Sequence, residues 1–199
     1  MPTDRGIEAL DPLALRTSAA AADGAFVRFD STFHPANVAS DEDARLTHRR
    51  WSIDVPTEHV HPKQAEYWRV LDGEFRVEID GIEHALADGD EIVIPPGAAH
   101  RVWNPLDRPI RVRFEFRPAL QSEALTETLY ALGQAGVLDD AGNLGIAQFS
   151  VLVDEYPDHL YLTAAPIPVQ DALATVLAPI ARLLGYSPAH ALEDAERES

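Results

Sequence analysis

The stretch EHVHPKQAEYWRVLDG, residues 58–73, places two histidines one residue apart and a glutamate five residues further on. In a β-strand, residues i and i+2 point to the same face, so His59 and His61 project together and the residue between them points away. The proline that follows predicts a bend, after which Glu66 returns to the same cavity. Imidazole nitrogen and carboxylate oxygen suit first-row transition metals. The stretch therefore predicts three ligands for one divalent ion.

A second stretch, GDEIVIPPGAAHRVWN at residues 89–104, supplies a further imidazole. Gly89 and Gly97 allow tight turns, and two prolines stiffen the approach to His100. We predict that His100 is the third imidazole of the same site. The remaining histidines lack ligand spacing and are predicted to be structural or exposed: His34, His48, His84, His159 and His190.

The chain around these two stretches has the pattern of short strands separated by turns. Residues 75–79 alternate between apolar and polar side chains, Asp80-Gly81 forms a hairpin turn, and residues 82–86 form the returning strand. Residues 111–117 alternate again, with valine and two phenylalanines on one face. Several short strands with frequent turns predict a β-sandwich or barrel, which we place at residues 26–118.

The flanking regions have a different character. Residues 1–25 are loosely patterned and are predicted to form an N-terminal arm or a short helix. Residues 119–192 are predicted to be a helical extension that packs on the barrel or on a dimer partner, and residues 193–199 a frayed polar tail. Pro179 predicts a kink or two short helices within residues 167–184. Apolar residues on two faces of that segment fit either a cover over the barrel or a dimer interface, and we expect a homodimer.

Composition excludes several classes of partner. With 33 acidic and 16 basic residues, the net charge of −17 repels nucleic acid and anionic membranes. We see no apolar run of 18 residues that would span a membrane and no helix-turn-helix pattern. The chain has no cysteine, which excludes disulfides and thiol chemistry. The start of the chain lacks the pattern of a secretion signal, so a cytoplasmic location is expected.

The two stretches resemble the two sequence motifs of the cupin superfamily. In the first motif, His59, His61, Glu66 and Gly73 match, while Ile53 stands where the motif begins with glycine. In the second motif every position matches, namely Gly89, Pro95, Gly97, His100 and Asn104. The resemblance covers about residues 45–117.

This resemblance implies a mainly β fold, an antiparallel double-stranded β-helix (a jelly-roll barrel), here with a C-terminal α-helical extension. It also implies a central metal held by His59, His61, Glu66 and His100. Iron, nickel, manganese, copper and zinc all remain open, because nitrogen and oxygen ligands do not select among them. Flavonol-cleaving dioxygenases are similar cupins with the same ligand set, and their glutamate is thought to act as a base, which implies a catalytic Glu66.

Three functions are compatible with such a site. We favour an oxygenase that acts on a small apolar or aromatic substrate, enolic or hydroxylated, with O2 as co-substrate. One alternative is an isomerase or lyase that uses the ion as a Lewis acid, and another is a non-enzymatic small-molecule-binding cupin. Trp68, Phe114 and Trp51 are the predicted pocket residues. Tyr67 and Arg69 have the opposite parity from Glu66 and are expected to point away.

Overall fold

A computed structural model describes residues 15–33, 57–134, 137 and 144–188 of the 199-residue chain. Within these residues, the strands are β1 (Leu15–Ala20), β2 (Val27–Phe33), β3 (His59–Val60), β4 (Ala65–Asp72), β5 (Phe75–Ile79), β6 (Ile82–Leu86), β7 (Glu91–Ile94), β8 (His100–Trp103), β9 (Ile110–Arg117) and β10 (Tyr161–Leu162). The helices are α1 (Ser122–Gln134), α2 (Ile146–Glu155) and α3 (Ile167–Leu183).

The strands form two five-stranded antiparallel sheets. The first sheet has the order β1-β2-β9-β4-β7, and the second has the order β10-β3-β8-β5-β6. One core cluster joins buried residues of both sheets, such as Phe29 and Val70 from the first and Phe75 and Val102 from the second. The predicted mainly β double-stranded fold with C-terminal helices is therefore confirmed.

Alternation along β9 places its apolar side chains inside the barrel. Phe114 stacks between Phe29 and Trp68, with ring centroids 5.0 and 4.8 Å away. Stacked aromatic rings fill the space between the sheets and stabilise it beyond the burial of area. Glu115 points outward, yet it is buried because Arg28 and Arg117 both bind its carboxylate.

The N-terminal region differs from the expected arm or short helix. Residues 15–20 form β1, which pairs with β2 from Leu15 opposite Ser31 to Ala20 opposite Val27. This pairing satisfies the outer backbone groups of β2, which would otherwise form an exposed sheet edge. The strand sequence LRTSAA has one large apolar residue and no apolar–polar alternation, so no pattern in the sequence predicts it. Residues 1–14 lie outside the described residues.

The helical extension begins and ends close to where its periodicity indicates, with two differences. Residues Ile167–Leu183 form one helix that continues through Pro179, so the alternative of two short helices is wrong. The two-residue strand β10, which no pattern predicted, lies between α2 and α3 and pairs with β3. The predicted tail, residues 193–199, lies outside the described part of the chain.

Gln64 fixes the start of α1 against the barrel. Its Nε2 donates to the carbonyl oxygens of Pro118 and Ala119, at 2.8 and 3.1 Å, and to Oγ of Ser122 at 2.6 Å. Because Gln64 is two residues from Glu66, the first turn of α1 is held close to the strand that carries this glutamate. Among the described helices, none has the length and apolar character needed to cross a membrane.

Gly73 ends β4 and is the most restrictive glycine of the barrel. Its φ of 106° lies in the left-handed region, and a Cβ would lie 2.5 Å from Cγ2 of buried Ile110. We expect Gly73→Ala to lower the free energy of unfolding by about 3 kcal/mol, since backbone strain adds to overpacking. Gly81→Ala is the control, because Gly81 has a φ of 78° and open space around it, so its loss should be about 1 kcal/mol. Urea unfolding measures both, and equal losses would contradict the clash with Ile110.

Candidate metal centre

Four polar side chains meet inside the barrel. His59 lies on β3, His61 directly follows that strand, Glu66 lies on β4 and His100 on β8. Each is 4% exposed or less, and one donor atom of each lies within 4.8 Å of the others. Two ligands with bonds of about 2.0–2.2 Å to one ion are at most about 4.4 Å apart. The distances between the four donor atoms are therefore close to those between ligands of a single ion.

Backbone carbonyls determine which nitrogen of each imidazole faces the centre. Nδ1 of His59 lies 3.0 Å from the carbonyl oxygen of Thr57, and Nδ1 of His100 lies 3.0 Å from that of Ala98. Nδ1 of His61 bonds to the carbonyl oxygen of His159 in the same way. A carbonyl oxygen only accepts, so each Nδ1 carries a proton, and the Nε2 lone pair is available as a ligand.

Two contacts show that the cluster fits a cation. Nε2 of His61 lies 2.6 Å from Oε1 of Glu66, and two lone pairs at that distance repel unless a proton or a metal ion neutralises them. Nε2 of His100 is buried, lies 3.6 Å from the same oxygen, and has no hydrogen-bond partner in the described part of the chain. Buried polar atoms are normally paired. An ion held by all four residues would satisfy both nitrogens and the carboxylate.

The titration of the site agrees with this ligand set. Burial, together with the nearby imidazoles of His61 and His100, lowers the pKa of His59 to about 3, which keeps its ring neutral. Burial raises the pKa of Glu66, but attraction to His61 and interactions with His100 outweigh it and hold this pKa well below its ordinary value. For His100, burial lowers the pKa, and the Glu66 carboxylate more than compensates and raises it. The site thus combines an ionised Glu66 carboxylate with a neutral His59 ring, and the carboxylate attracts positive charge to the centre.

Trp68 holds the carboxylate in place. Its indole Nε1 donates to Oε2 of Glu66 at 2.6 Å, which leaves Oε1 directed at the histidines. The ring of Trp68 is itself fixed by Phe114 and by Phe75, whose ring centroids lie 4.8 and 5.0 Å away. Trp68 therefore belongs both to the core and to the candidate metal centre, because Glu66 and Trp68 share one face of β4.

A cavity of about 50 Å³ lies above the cluster. It is much smaller than the roughly 300–1,000 Å³ of typical ligand pockets. Three of the candidate ligands line it, together with side chains of the barrel and of the helical extension. The lining residues are His59, His61, Glu66, Trp68, Val102, Phe114, Phe116, Leu125, Thr126, Leu129 and Leu160.

The structure gathers most of the residues chosen from the sequence. The four predicted ligands meet, and Trp68 and Phe114 both line the cavity. Trp51 lies outside the described residues. Tyr67 is on the outer face as expected, with the guanidinium of Arg117 4.2 Å above its ring.

His159 has a role that the sequence did not reveal. It was expected to be structural or exposed, and it is buried, with Nδ1 donating to the carbonyl oxygen of Pro157 and Nε2 accepting from the backbone N–H of Gln121. Its own carbonyl oxygen orients His61, which is 98 residues away in the chain. A backbone acceptor of this kind has no signature in residue type, so no signal in the sequence could have found it.

A family model matches the part of the chain that carries the barrel and the candidate ligands. Residues 52–115 match the family model described as Cupin domain. Two antiparallel sheets around a three-histidine, one-glutamate cluster are the architecture and site that the two motifs implied. The barrel is therefore similar to a cupin domain over residues 52–115, about a third of the chain.

Three curated relatives match parts of the chain. A protein named as an oxidoreductase from Arthrobotrys oligospora is 45% identical over 49 residues, which are 24% of this chain and 19% of that protein. Protein SchB from Streptomyces halstedii is 36% identical over 62 residues, 31% of this chain and 45% of its own length. A probable oxidoreductase, yanE, from Aspergillus niger is 39% identical over 49 residues, with coverage of 24% and 19%. The matched stretch spans less than half of each relative.

Solved structures with related barrels are more distant. KdgF from a Halomonas species is 19% identical, with a TM-score of 0.42 over 55% of this chain and 82% of that chain. A Cupin 2 conserved barrel domain protein from Salinispora arenicola is also 19% identical, with a TM-score of 0.37 over 62% and 91%. Both likenesses are weak, so the fold assignment rests on the two sheets and the family model.

Proposed function

We propose that this protein is a metal-dependent oxidoreductase of the dioxygenase type, which acts on a small apolar or aromatic substrate with an enolic or hydroxyl group. The observation that carries the proposal is the set of three Nε2-directed imidazoles and one carboxylate beneath an apolar cavity. Four protein ligands leave further coordination positions open on an octahedral ion, which favours a reactive site over a structural one. Two relatives are named as oxidoreductases, which favours redox chemistry.

Glu66, Trp68 and the apolar walls of the cavity have different proposed roles in the reaction. When bound, a divalent first-row ion supplies Lewis acidity and, for iron, nickel, manganese or copper, redox chemistry. Glu66 is the proposed catalytic base, since its carboxylate lines the cavity and, once released from the ion, Oε1 would accept a proton from the substrate hydroxyl. Trp68 Nε1 donates a hydrogen bond to Oε2, so Oε1 is the carboxylate oxygen that remains to contact the substrate. The apolar walls exclude water and thereby strengthen these electrostatic interactions.

The size of the cavity limits the substrate. A volume of about 50 Å³ holds only a few non-hydrogen atoms, and a flavonol is far larger. Leu125 and Leu129 of α1 and Leu160 line the cavity, so an aromatic substrate of larger volume requires these side chains to move apart. We therefore propose a substrate that places only its reacting enol or hydroxyl group above the cluster.

The proposal is tested by metal content and oxygen uptake together. The full chain is purified without a His-tag or chelator, analysed by mass spectrometry for metals, and reconstituted separately with iron, nickel, manganese, copper and zinc. We expect about one equivalent of metal per chain and oxygen consumption with a redox-active ion in the presence of small catechols or β-diketones. Metal without any oxygen uptake would move the function to Lewis-acid isomerase or lyase chemistry. Failure to take up any metal would leave a non-enzymatic binding cupin.

Thr126 is the proposed substrate-orienting residue of the cavity. It is the one hydroxyl among the lining residues, and no hydrogen bond of its side chain is found in the described ranges. Thr126→Val keeps the shape and removes the hydroxyl, so we expect kcat/KM to fall about tenfold, the equivalent of one hydrogen bond. Metal content should be unchanged, and Thr126→Ser should restore most of the activity. Equal rates for Thr126→Val and the parent would exclude this contact.

The remaining expectations concern the co-substrate, the oligomeric state and the location of the protein. A small-molecule substrate with O2 as co-substrate and a homodimeric assembly are part of the proposal. The cytoplasmic location stays a prediction.

A further inference from the structure

Helix α3 exposes a continuous apolar stripe. Val169, Leu173, Val176, Ile180 and Leu183 are between 40% and 88% exposed, and they follow one another at intervals of four, three, four and three residues. This is the spacing of the a and d positions in a helix that packs against another helix. A stripe of this regularity is not expected on a face that meets only water.

The opposite face of α3 already packs against its own chain. Its buried residues are mostly small, and Ala178 and Ala181 pack with Val151 of α2. Ala174 packs with Tyr161 of β10 in a second cluster. The helix therefore uses alanines for contact within the chain and leaves its larger side chains outside. This arrangement is the reverse of that in an ordinary amphipathic surface helix.

The stripe is free of charge on a strongly acidic chain. Two charged residues at its margins already have partners within the chain. Asp171 accepts a hydrogen bond from the hydroxyl of Tyr161. Arg182 forms ion pairs with Asp154 and Glu155. The net charge of −17 opposes the approach of a second copy wherever acidic side chains would meet. The stripe presents no such opposition, so it favours a second copy as the partner.

The stripe also matches itself. Val169 and Leu183 lie seven residues on either side of Val176, so an antiparallel copy related by a two-fold axis at Val176 brings Val169 of one chain beside Leu183 of the other. Such an interface uses the same patch on both chains. Leu184, 73% exposed, extends the apolar patch beyond the end of the helix, so each copy offers six large apolar side chains to such an interface.

We propose that two copies of this chain form a homodimer through antiparallel packing of α3 against α3, centred on Val176. The interface lies on the helical extension and leaves the barrel edges out of the contact. It is independent of the metal and of the substrate.

Two glutamate substitutions test the interface in the full-length protein. Val176→Glu places two carboxylates together at the axis, whereas Ile82→Glu introduces the same charge at an equally exposed position, 63% against 62%, on β6. Sedimentation analysis should give the parent twice the chain mass of 21.8 kDa. We expect Val176→Glu to raise the dimer dissociation constant at least 100-fold and Ile82→Glu to leave it unchanged. A monomeric parent at tens of micromolar, or a dimer that Val176→Glu leaves intact, would overturn the proposal.

Cysteine cross-linking tests the orientation, and the chain has no native cysteine to interfere. Under mild oxidation, Val176→Cys should cross-link across the axis, and the double variant Val169→Cys/Leu183→Cys should also cross-link. Val169→Cys alone should remain uncrosslinked, since two copies of residue 169 lie at opposite ends of an antiparallel pair. Efficient cross-linking of Val169→Cys alone would overturn the antiparallel arrangement.

Discussion

His100→Ala is expected to weaken metal binding at least 100-fold and to abolish metal-dependent activity. His100 is one of the four candidate ligands, and its buried Nε2 has no hydrogen-bond partner among the described residues other than the ion it would bind. Loss of a residue that only orients a ligand commonly costs 10–100-fold in metal affinity, so loss of a ligand should cost more. Competition with a chromophoric chelator measures the dissociation constant.

Thermal unfolding gives a second readout of the same change. An ion at 100 times its dissociation constant stabilises the folded state by about 2.7 kcal/mol, which should raise the Tm of the parent by about 5–10 °C. His100→Ala should have a Tm near that of the metal-free parent and should not respond to metal. The control is His84→Ala, because His84 lies on β6 outside the cluster and should keep the full metal response. A normal metal response in His100→Ala would exclude this histidine as a ligand.

Trp68→Phe is expected to lower metal affinity and kcat about 10–100-fold while the fold is retained. The substitution keeps an aromatic ring in the core and removes only the indole N–H that binds Oε2 of Glu66. The carboxylate oxygen is then buried without a donor, and the carboxylate is free to rotate away from the histidines. Metal titration and steady-state kinetics measure the two effects.

The control for Trp68→Phe separates positioning from packing. Phe33 meets the ring of Trp68 edge-on at 5.8 Å and has no polar group to offer Glu66. Phe33→Leu should lower the free energy of unfolding by about 1–2 kcal/mol, similar to Trp68→Phe, because both leave a small void in one core. Only Trp68→Phe should change metal affinity. A similar loss in both variants would assign the effect to packing alone.

Access to the centre depends on the helical extension. α1 and Leu160 contribute to the lining of the cavity, and the start of α1 is held by Gln64 of the barrel and by the contact of Gln121 with His159. His159 also orients His61, so the contacts that hold α1 and one that holds a ligand share a residue. Movement of α1 during substrate entry would therefore shift His159 and, through it, the orientation of His61.

Much of the barrel and all four candidate ligands were predictable from short-range patterns. Alternation along β4 and β9 assigns inward and outward faces, so Glu66 and Trp68 fall inside and Tyr67 falls outside. Asp80-Gly81 predicts the β5–β6 turn, because both residues adopt positive φ there. Each of these features depends on residues that are close in the chain, and local geometry restricts them directly.

Other features required the tertiary structure. Three of them join segments that are far apart in the chain. These are the pairing of β10 with β3, the contact of His159 with His61 and the lining of the cavity by α1. Periodicity shows which face of a helix or strand is apolar, but it does not show which distant segment covers that face. Backbone carbonyls are present at every residue, so residue type cannot mark the ones that orient a ligand. The sequence by itself therefore determined the barrel and its candidate donors, whereas the tertiary structure decided how those donors are oriented, enclosed and reached.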